Sequence, residues 1–370
     1  MRLRVLVLNW RDRESPWAGG AEVHIHAIAE GLVRRGHEVL LLATGFPGGS
    51  AEAVIGGVPV RRRGAWWNGN FALCAEARRE LRRRAYDVVL EDINKIPFFT
   101  PLVQFLPTVV YVPHLFGATV FRETNPLFAS YVWLMERPVP WVYRRAAWIA
   151  ISASTKRDLV RRGVPAARVD VVHCGLDFAS YQGSPARAAR PTLVHLGRLM
   201  RYKAADVALR ALARVRSQGV DARLLVVGDG PDRTRLEALG RRLGLGAAVE
   251  FRGHVRHEEK VRLLWESHVL LNPSPKEGWG LTVVEANACG VPVVAARSPG
   301  LVDSVRDGET GLLVQSGDAG AMAAAALALL GDEERRGRMG QAARRWAQSF
   351  SWDEAALQTE RVLQQALRGA

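Results

Sequence analysis

The sequence predicts an α/β protein made of two successive doubly wound domains, each a largely parallel sheet with helices on its faces. One observation is a repeated pattern in which a short apolar run, a loop with glycine and a segment of helical periodicity follow one another. Another is that this pattern stops at a short polar stretch and begins again in the second half. The length of 370 residues allows two domains of ordinary size, each with its own core.

The first half begins with an apolar strand and a loop, residues 10–20, that ends in Gly19 and Gly20. A helix of regular apolar periodicity follows this loop and ends at Gly36. The unit lacks the G-x-G-x-x-G spacing, so it does not carry the usual dinucleotide-binding signature. Apolar runs predict the strands of the first domain at residues 4–9, 37–43, 87–91, 108–112 and 148–151.

A polar stretch at residues 179–191 contains glycine, serine and two prolines, a composition typical of a linker. We therefore predict a first domain over residues 1–178 and a second over residues 192–350, with a final helical segment over residues 351–370. Apolar runs predict the strands of the second domain at residues 192–196, 223–227, 249–251, 269–274, 292–295 and 311–314.

The chain is strongly basic, with a formal net charge of +14, although only five of its 51 basic residues are lysine. The excess is spread along the chain, +8 through Asp177 and +6 in the remainder, so no basic arm is indicated. Charge alone suggests a nucleic-acid-binding protein, but an attraction to phosphate-rich surfaces is not specific, and we expect no nucleic acid partner.

Three widely spaced cysteines favour a reducing cytoplasm and show no metal-ligand spacing. No apolar run approaches the roughly 20 residues that span a bilayer, and the N-terminus leads into a strand-like run without a signal-peptide pattern. A basic and aromatic cluster at residues 61–67, RRRGAWW, either contacts lipid head groups or is a solvated loop. We expect a cytoplasmic protein, with peripheral contact to the anionic inner face of the membrane as a further expectation.

The functional prediction depends on residues 276–290, KEGWGLTVVEANACG, in which two carboxylates, Glu277 and Glu285, stand eight positions apart. A short strand precedes this stretch, two glycines lie between the carboxylates, and an apolar run predicts the first turns of a helix. A strand end, a glycine loop and a helix N-terminus meet here. Several N–H groups and the positive end of a helix dipole can therefore form a phosphate-binding site. The two carboxylates can accept protons from sugar hydroxyls on either side of a diphosphate.

In this setting, EGWGLTVVEANACGVPVV, the chain resembles the retaining glycosyltransferases of family 4, whose mark is Glu-x7-Glu. The resemblance implies the GT-B fold, in which two facing Rossmann-like domains are completed by a C-terminal helix that crosses back to the first. It also implies a hexosyltransferase that moves a sugar from a nucleotide-diphosphate sugar to a glycan, a lipid-linked acceptor or a small molecule. The nucleotide sugar is itself a substrate, so no cofactor is expected. The motifs cover nearly all of the second domain and are looser in the first.

Three departures from the family's usual form stand out. Trp279 stands where phenylalanine is common, and Asn287 stands where methionine is common. Residues 298–303, SPGLVD, replace a more usual Gly-Gly-x-x-Glu run. The last departure bears on the identity of the donor sugar, because that loop lies beyond the same helix.

Two cations on one loop are predicted to bind the donor. Arg198 and Lys203 stand five residues apart on the loop that leaves the first strand of the second domain. Both can therefore reach one phosphate, arginine as a planar fork and lysine as a point charge. The resemblance implies that this pair holds the donor diphosphate, while Glu277 binds hydroxyls of the donor sugar and Glu285 binds those of the ribose. The predicted donor-binding residues are Gly19, Gly20, Arg198, Lys203, Asp229, Val255, Glu277, Gly278, Trp279, Gly280, Leu281, Thr282 and Glu285.

The acceptor is predicted to bind to the first domain. Asp92, Asn94 and Lys95 stand at the carboxyl end of the strand at residues 87–91, where ligands of open α/β sheets bind. His114 follows the next strand, and the resemblance implies that a polar residue at this position approaches both the donor sugar and the acceptor. The predicted acceptor-side residues are Asp92, Asn94, Lys95 and His114. The residues predicted to act in catalysis are His114, Arg198, Lys203 and Glu277.

Sugar transfer develops positive charge on the sugar ring and negative charge on the departing diphosphate. An enzyme gains rate by stabilising that negative charge in the transition state. The sequence has no Asp-x-Asp pair at a strand end, so we expect cations and amides, and no metal ion, to do this. The resemblance implies retention of configuration by front-side attack, in which the leaving phosphate helps to deprotonate the acceptor.

Other classes of protein remain open at this point. A non-catalytic sugar-nucleotide-binding scaffold could keep the fold, although Arg198, Lys203, Glu277 and Glu285 are all present. Two carboxylates also serve glycosidases as acid and nucleophile. Nucleotide-sugar epimerases and phosphorylases share the architecture, but no lysine site of the pyridoxal type is evident.

Overall fold

The computed structural model describes residues 1–94, 96–122, 125–183 and 187–369. The chain divides into two compact units. The first contains Met1–Gly175 together with the segment that begins at Ser351, and the second contains Leu176–Phe350. Within the described part of the chain, no helix combines the length and the apolar character needed to cross a bilayer.

The first unit is an eight-stranded sheet covered by helices. Its strands are β1 (Arg4–Leu8), β2 (Glu38–Ala43), β3 (Glu52–Ile55), β4 (Val58–Arg62), β5 (Val88–Asp92), β6 (Thr108–Val112), β7 (Ala147–Ala150) and β8 (Val169–Val171). The helices between them are α1 (Gly20–Arg34), α2 (Gly69–Arg83), α3 (Pro126–Glu136), α4 (Val139–Val142) and α5 (Ala153–Arg161). The strand order is β3-β4-β2-β1-β5-β6-β7-β8, and the β3–β4 pair is antiparallel while the other pairs are parallel.

Strand β1 lies in the middle of this sheet, and its residues Val5, Leu6, Val7 and Leu8 are all fully buried. A strand covered by helices on both faces has no solvent side, which is why its sequence is a continuous apolar run without alternation. The direction of strand order reverses between β1 and β5. The loops that leave these two strands therefore border a crevice of the kind in which doubly wound sheets bind ligands.

The second unit contains a six-stranded parallel sheet. Its helices are α6 (Ala205–Ser217), α7 (Arg233–Arg242), α8 (His257–Glu266), α9 (Leu281–Ala288), α10 (Leu301–Ser304), α11 (Ala319–Gly331) and α12 (Glu333–Gln348). Its strands are β9 (Thr192–Leu196), β10 (Arg223–Val227), β11 (Val249–Gly253), β12 (Val269–Asn272), β13 (Val293–Ala296) and β14 (Gly311–Val314). The order β11-β10-β9-β12-β13-β14 reverses between β9 and β12, which is the doubly wound order with one switch point.

The last helix, α13 (Trp352–Arg368), belongs to the first unit and packs along α1. Gly31 on α1 permits this close approach, because a Cβ atom there would lie 2.4 Å from the Cβ atom of Ala356. Just after α1, Arg35 pairs with Glu360 of the last helix, and Nε2 of His37 lies 3.2 Å from the same carboxylate. The predicted fold class, α/β with two doubly wound domains and a C-terminal helix that returns to the first, is confirmed.

The predicted linker, residues 179–191, instead lies inside the second unit in its described part. Residues Phe178–Tyr181 form a 3-10 turn that is held by the Tyr181 side chain. Arg187 donates to the carbonyl oxygens of Leu264, Trp265, Ser267, Cys289 and Gly290. A polar, proline-containing stretch resembles a linker in sequence, but this arginine binds it to the end of α8 and the end of α9.

Candidate active site

The centre of the second unit's site is an ion pair at the switch point between β9 and β12. Lys203 ends a 3-10 turn, Arg201–Lys203, in the connection after β9, and Glu277 lies in the loop after β12. Lys203 Nζ donates to Oε1 of Glu277 at 2.6 Å. The lysine side chain is 21% exposed and the glutamate side chain 14% exposed, so solvent and ligands can still reach both.

The electrostatics of this pair keep the lysine charged. Burial by itself lowers the pKa of Lys203, but the neighbouring Glu277 carboxylate more than offsets this effect, and the pKa is raised above the ordinary lysine value. The site therefore offers a fixed ammonium group at neutral pH. A cation in a half-buried position interacts more strongly with phosphate than one in open water.

The loop that carries Glu277 is supported from behind by the turn at residues 298–300. The Glu277 N–H donates to the carbonyl oxygen of Pro299 at 3.0 Å, and the Ser298 hydroxyl donates to the Ser274 carbonyl oxygen at 2.7 Å. Gly300 has a φ of +80° and lies so close that a Cβ atom there would be 2.3 Å from the Glu277 carbonyl oxygen. The turn that departs from the family's usual sequence thus positions the backbone of the motif loop.

Helix α9 begins at the other end of this loop, where Gly280 adopts a φ of +95° at the N-cap. The amides of residues 281 and 282 open the helix at the carboxyl edge of the sheet, and together with the helix dipole they can bind an anion, whereas the Val283 N–H donates to the Gly280 carbonyl oxygen. Trp279, in contrast, is buried and packs edge-to-face on Phe350 with ring centroids 5.1 Å apart. Its indole is therefore part of the core, and a ligand contact from Trp279 would have to come from its backbone.

Glu285 lies one turn into α9, where two side chains hold the same oxygen. Tyr181 OH donates to Oε1 of Glu285 at 2.7 Å, and Lys260 Nζ on α8 donates to that oxygen at 2.6 Å. Burial and the nearby Glu285 carboxylate raise the pKa of the Tyr181 hydroxyl, which therefore stays protonated and keeps donating. The edge-to-face contact between Tyr181 and His257, at 5.1 Å, further restricts the phenol ring.

Two glycine loops pack main chain against main chain at the same sheet edge. A Cβ atom at Gly228 would lie 2.0 Å from the Gly197 carbonyl oxygen, and one at Gly230 would lie 2.3 Å from the Leu199 carbonyl oxygen. This contact brings the loops after β9 and β10 together. The Arg198 side chain, in the loop after β9, is exposed.

The two residues expected to frame the base are less constrained. The Asp229 carboxylate is about half exposed, and it accepts from the Gly230 N–H at 2.7 Å and from Arg233 at 3.2 Å. Val255 follows β11 and is partly buried. Asp229, in the loop before α7, is therefore engaged by the first residue of that helix, and a ligand would compete with Arg233 for it.

His195, on β9 immediately before the Gly197 loop, was not predicted to be part of the site. Its Nδ1 lies 3.1 Å from the Leu271 carbonyl oxygen, and its Nε2 has no hydrogen-bond partner among the described residues. Burial lowers the pKa of His195, and Lys203 lowers it further. The ring is therefore neutral, with an unpaired nitrogen beside the Lys203–Glu277 pair. Its position two residues before a glycine loop is the sequence signal that could have found it.

In the first unit, polar side chains meet across the switch point between β1 and β5. The Asn94 amide donates to Oδ1 of Asn9 at 2.9 Å and to Oδ2 of Asp92 at 3.1 Å. All three residues are buried. Asp92 and Asn94 therefore lie at one sheet edge, as predicted from their place in the sequence, whereas Lys95 lies outside the described residues.

The predicted glycine loop of the first unit leads directly into α1. Gly19 is the N-cap residue, and its N–H donates to Oε2 of Glu22 at 2.7 Å. Gly20 is the first residue of the helix and is exposed. The main chain of this loop is thus held at the helix N-terminus by an acidic side chain.

His114 lies in the loop after β6, which is anchored by a buried carboxylate. The N–H groups of Phe116 and Gly117 donate to the two oxygens of Glu136, each at 2.7 Å. The His114 ring is partly exposed and meets the Phe116 ring edge-to-face at 4.9 Å. Glu136, on α3, is therefore a further residue that shapes this loop.

The basic cluster at residues 61–67 is only partly a surface feature. Arg62 is buried and forms a two-pronged ion pair with Asp12, at 2.6 and 3.0 Å. Arg61 pairs with Glu80 on α2 at 2.5 Å. The prediction that this whole run contacts lipid or solvent is therefore wrong for these two arginines, because buried carboxylates hold them inward; Trp66 and Trp67 are exposed.

Both halves of the chain are similar to known glycosyltransferases. The model described as Glycosyltransferase Family 4 matches residues 18–180, and the model described as Glycosyl transferases group 1 matches residues 180–346. Both units have the architecture of GT-B glycosyltransferases. The matches together span most of the chain, and the chain belongs to the family 4 glycosyltransferases.

Individual relatives give the same result. A D-inositol 3-phosphate glycosyltransferase from Rhodococcus erythropolis is 38% identical over 211 residues, which is 52% of this chain and 48% of that protein. The chain spans about half the length of the curated relatives from Rhodococcus erythropolis and Nocardia farcinica that it matches. Sucrose-phosphate synthase from Thermosynechococcus elongatus has a TM-score of 0.83 at 22% identity, with all of both chains covered. HepE from Anabaena, solved with UDP and glucose, has a TM-score of 0.79 at 21% identity, with 98% of this chain and 100% of that chain covered.

Proposed function

We propose that this chain is a retaining hexosyltransferase that moves a sugar from a nucleotide-diphosphate sugar to a glycan, lipid-linked or small-molecule acceptor without a metal ion. The observation that carries the proposal is the Lys203–Glu277 pair, at 2.6 Å, on the two loops that border the switch point of the second sheet. A cation and a carboxylate side by side suit a ligand in which a phosphate is next to a hydroxyl-bearing sugar.

In this proposal the cations stabilise the departing diphosphate. Lys203 and the exposed Arg198 supply positive charge, and the amides at the start of α9 supply further donors. When a phosphate of the donor accepts hydrogen bonds from the Lys203 ammonium group, Glu277 can accept hydrogen bonds from hydroxyls of the donor sugar. His114 and the polar group of Asp92 and Asn94 in the first unit would serve the acceptor.

The pairing of both motif glutamates with lysines supports a metal-independent reaction. Oε1 of Glu277 and Oε1 of Glu285 each accept from a lysine ammonium group at 2.6 Å. A carboxylate already neutralised by a fixed cation is a poor ligand for a divalent metal ion, which needs several anionic oxygens.

The experiment begins with donor binding. Thermal shift with UDP-, GDP- and ADP-sugars identifies the donor, since a ligand that binds the native state raises Tm. UDP-glucose is the first choice because HepE was solved with UDP and glucose. D-inositol 3-phosphate is the first acceptor because a relative's name contains it. Transfer is then followed with and without EDTA, and NMR of the product gives the anomeric configuration.

We expect Lys203→Ala and Glu285→Ala each to lower transfer on the order of 10²–10³-fold while the protein stays folded. Lys156→Ala is the matched control, because this lysine binds the Val169 carbonyl oxygen in the first unit. Strong dependence on a divalent metal ion or inversion of configuration would contradict the proposed reaction. Tight nucleotide binding without turnover over all acceptors would favour the non-catalytic scaffold.

The proposed peripheral membrane contact rests on the outer face of α3. Leu127 and Leu134 are 86% and 55% exposed, seven residues apart on one face of the helix, and Trp141 is exposed after another seven residues. Arg144 lies 5.2 Å from the Trp141 ring. The acid of this helix, Glu136, is buried and engaged by backbone amides. An apolar face bordered by arginine and without exposed acid suits an anionic leaflet.

Vesicle sedimentation tests this contact. We expect binding to phosphatidylglycerol vesicles that weakens as salt is raised, and little binding to phosphatidylcholine vesicles. The double variant L127S/L134S should reduce binding several-fold, whereas Val54→Ser, an exposed apolar residue on β3, should not. Equal binding by the two variants would remove this face from the proposal.

A further inference from the structure

We infer that Lys260 binds the nucleotide ribose of the donor beside Glu285, and that Tyr181 orients Glu285 for this contact. This inference rests on the proposed function, and it adds two residues to the donor site.

The two carboxylate oxygens of Glu285 differ in their hydrogen bonds. Oε1 accepts from both Tyr181 OH and Lys260 Nζ, at 2.7 and 2.6 Å. Oε2 has no hydrogen-bond partner among the described residues, and the side chain is 15% exposed. Two donors on one oxygen hold the carboxylate in a single orientation and leave the other oxygen open to a ligand hydroxyl.

Lys260 has unused hydrogen-bonding capacity. An ammonium group has three N–H donors. In the described part of the chain, the Lys260 ammonium group donates to Glu285 and lies 5.6 Å from the centre of the Tyr181 ring. Its side chain is 21% exposed. At least one N–H is thus available to a ligand oxygen beside Glu285.

Lysine is also rare in this chain. Only five of 51 basic residues are lysine, yet one lysine pairs with each glutamate of the motif, Lys203 with Glu277 and Lys260 with Glu285. A planar guanidinium would cover both oxygens of a carboxylate in a two-pronged pair, whereas an ammonium group binds one as a point charge. Lysine is the cation that leaves the second oxygen free.

An open carboxylate oxygen and a spare N–H on adjacent groups match a cis-diol. One hydroxyl donates to Oε2 of Glu285, and the oxygen of its neighbour accepts from Lys260. A ligand that lacks one of these hydroxyls leaves a partly buried polar group unpaired, and sites of this kind discriminate strongly against the analogue that lacks the hydroxyl.

The experiment measures dissociation constants by calorimetry for UDP, GDP and ADP, and then for the 2′-deoxy and 3′-deoxy forms of the one that binds most tightly. Nucleoside diphosphates are used because they lack the transferred sugar, so any diol effect belongs to the ribose. We expect the wild type to prefer the ribonucleotide by at least tenfold. In Lys260→Met the affinity for the ribonucleotide should fall about tenfold, while the affinity for the deoxy form that lacks the Lys260-bound hydroxyl changes little, so the preference over that form collapses.

Tyr181→Phe should reduce the preference by a smaller factor, because it removes one of the two bonds that orient Glu285. Arg262→Met is the matched control on the same helix, since Arg262 pairs with Glu266 at the surface, and it should keep the full preference. Thermal unfolding of each variant checks the fold. A Lys260→Met protein that retains the ribose preference would overturn the inference and leave the proposed function intact. A wild-type protein that binds none of the three nucleotides would overturn both.

Discussion

Lys203 and Glu277, 74 positions apart in the chain, form a 2.6 Å ion pair across the point at which the strand order of the second sheet reverses. Each residue sits on the loop that leaves one of the two strands flanking this point. The pair therefore lies at the kind of position where doubly wound sheets bind ligands, and it joins the cation and the carboxylate that the proposed chemistry needs.

Removal of one partner of this pair should destabilise the protein more than removal of both. Lys203→Met leaves Glu277 without its cation in a position that is 14% exposed, and Glu277→Gln leaves the ammonium group unpaired. In the double variant neither charge remains, so we expect a coupling free energy of about 1–3 kcal/mol. Urea unfolding of the four proteins measures it, and strictly additive effects would show that the pair is not coupled in solution.

Gly300→Ala should be far more damaging than Gly308→Ala. Both glycines have a φ near +80°, but a Cβ atom at Gly300 would lie 2.3 Å from the Glu277 carbonyl oxygen, whereas one at Gly308 would have no described atom within 4 Å. We expect a loss of about 1–2 kcal/mol at Gly308 from backbone strain alone, and a larger loss at Gly300. Because the clash displaces the motif loop, donor affinity should fall in Gly300→Ala and stay unchanged in Gly308→Ala. Equal affinities would mean that the turn does not position Glu277.

Asn287→Met should stabilise the protein. Asn287 on α9 is fully buried, and neither its amide nitrogen nor its amide oxygen has a hydrogen-bond partner among the described residues. An unpaired buried amide costs about 1–3 kcal/mol, and methionine replaces it with a flexible apolar side chain that is one atom longer. We expect a gain of about 1 kcal/mol or more in the free energy of unfolding, measured in urea. A loss instead would contradict this account, since it would mean that the amide is satisfied by a buried water molecule or that the longer side chain overpacks the core.

Acid should destabilise the first unit through His24. Burial lowers the pKa of this histidine to about 3, and its ring packs against Tyr111 at 4.7 Å and Trp352 at 5.4 Å. Because its pKa is lower in the folded than in the unfolded state, the unfolded chain takes up the proton first as pH falls below about 6.5. This contribution is complete above that pH and declines until about pH 3, with a loss of about 2 kcal/mol at pH 5.

His24→Phe keeps an aromatic ring but removes the titrating group. Relative to the wild type, the variant should lose less stability between pH 8 and pH 5, by about 2 kcal/mol. Unfolding curves at the two pH values give this difference directly. Parallel loss of stability in both proteins would exclude His24 as its source.

The features that could be predicted from sequence are those in which neighbours along the chain determine structure. The apolar runs of β1 and β9 predict buried parallel strands. The stretch from Glu277 to Glu285, with its glycine loop, predicts a helix start that can bind phosphate. Predictions from local patterns were wrong where a residue bonds to another that is distant in the sequence. Residues 179–191 have the composition of a linker, but Arg187 donates to five carbonyl oxygens of the second unit. Arg62 is part of a basic cluster, but Asp12 holds it inside.

The same distinction applies to the candidate site. That the chain carries a Glu-x7-Glu motif, with Arg198 and Lys203 upstream, follows from the order of residues alone, because spacing along a loop and a helix is a local property. Which atom of Glu285 is occupied, and by which side chains, was settled only when α8 and the turn at Phe178–Tyr181 came to lie beside α9. No local pattern specifies that meeting, because Tyr181, Lys260 and Glu285 lie on three separate elements that long-range packing brings together.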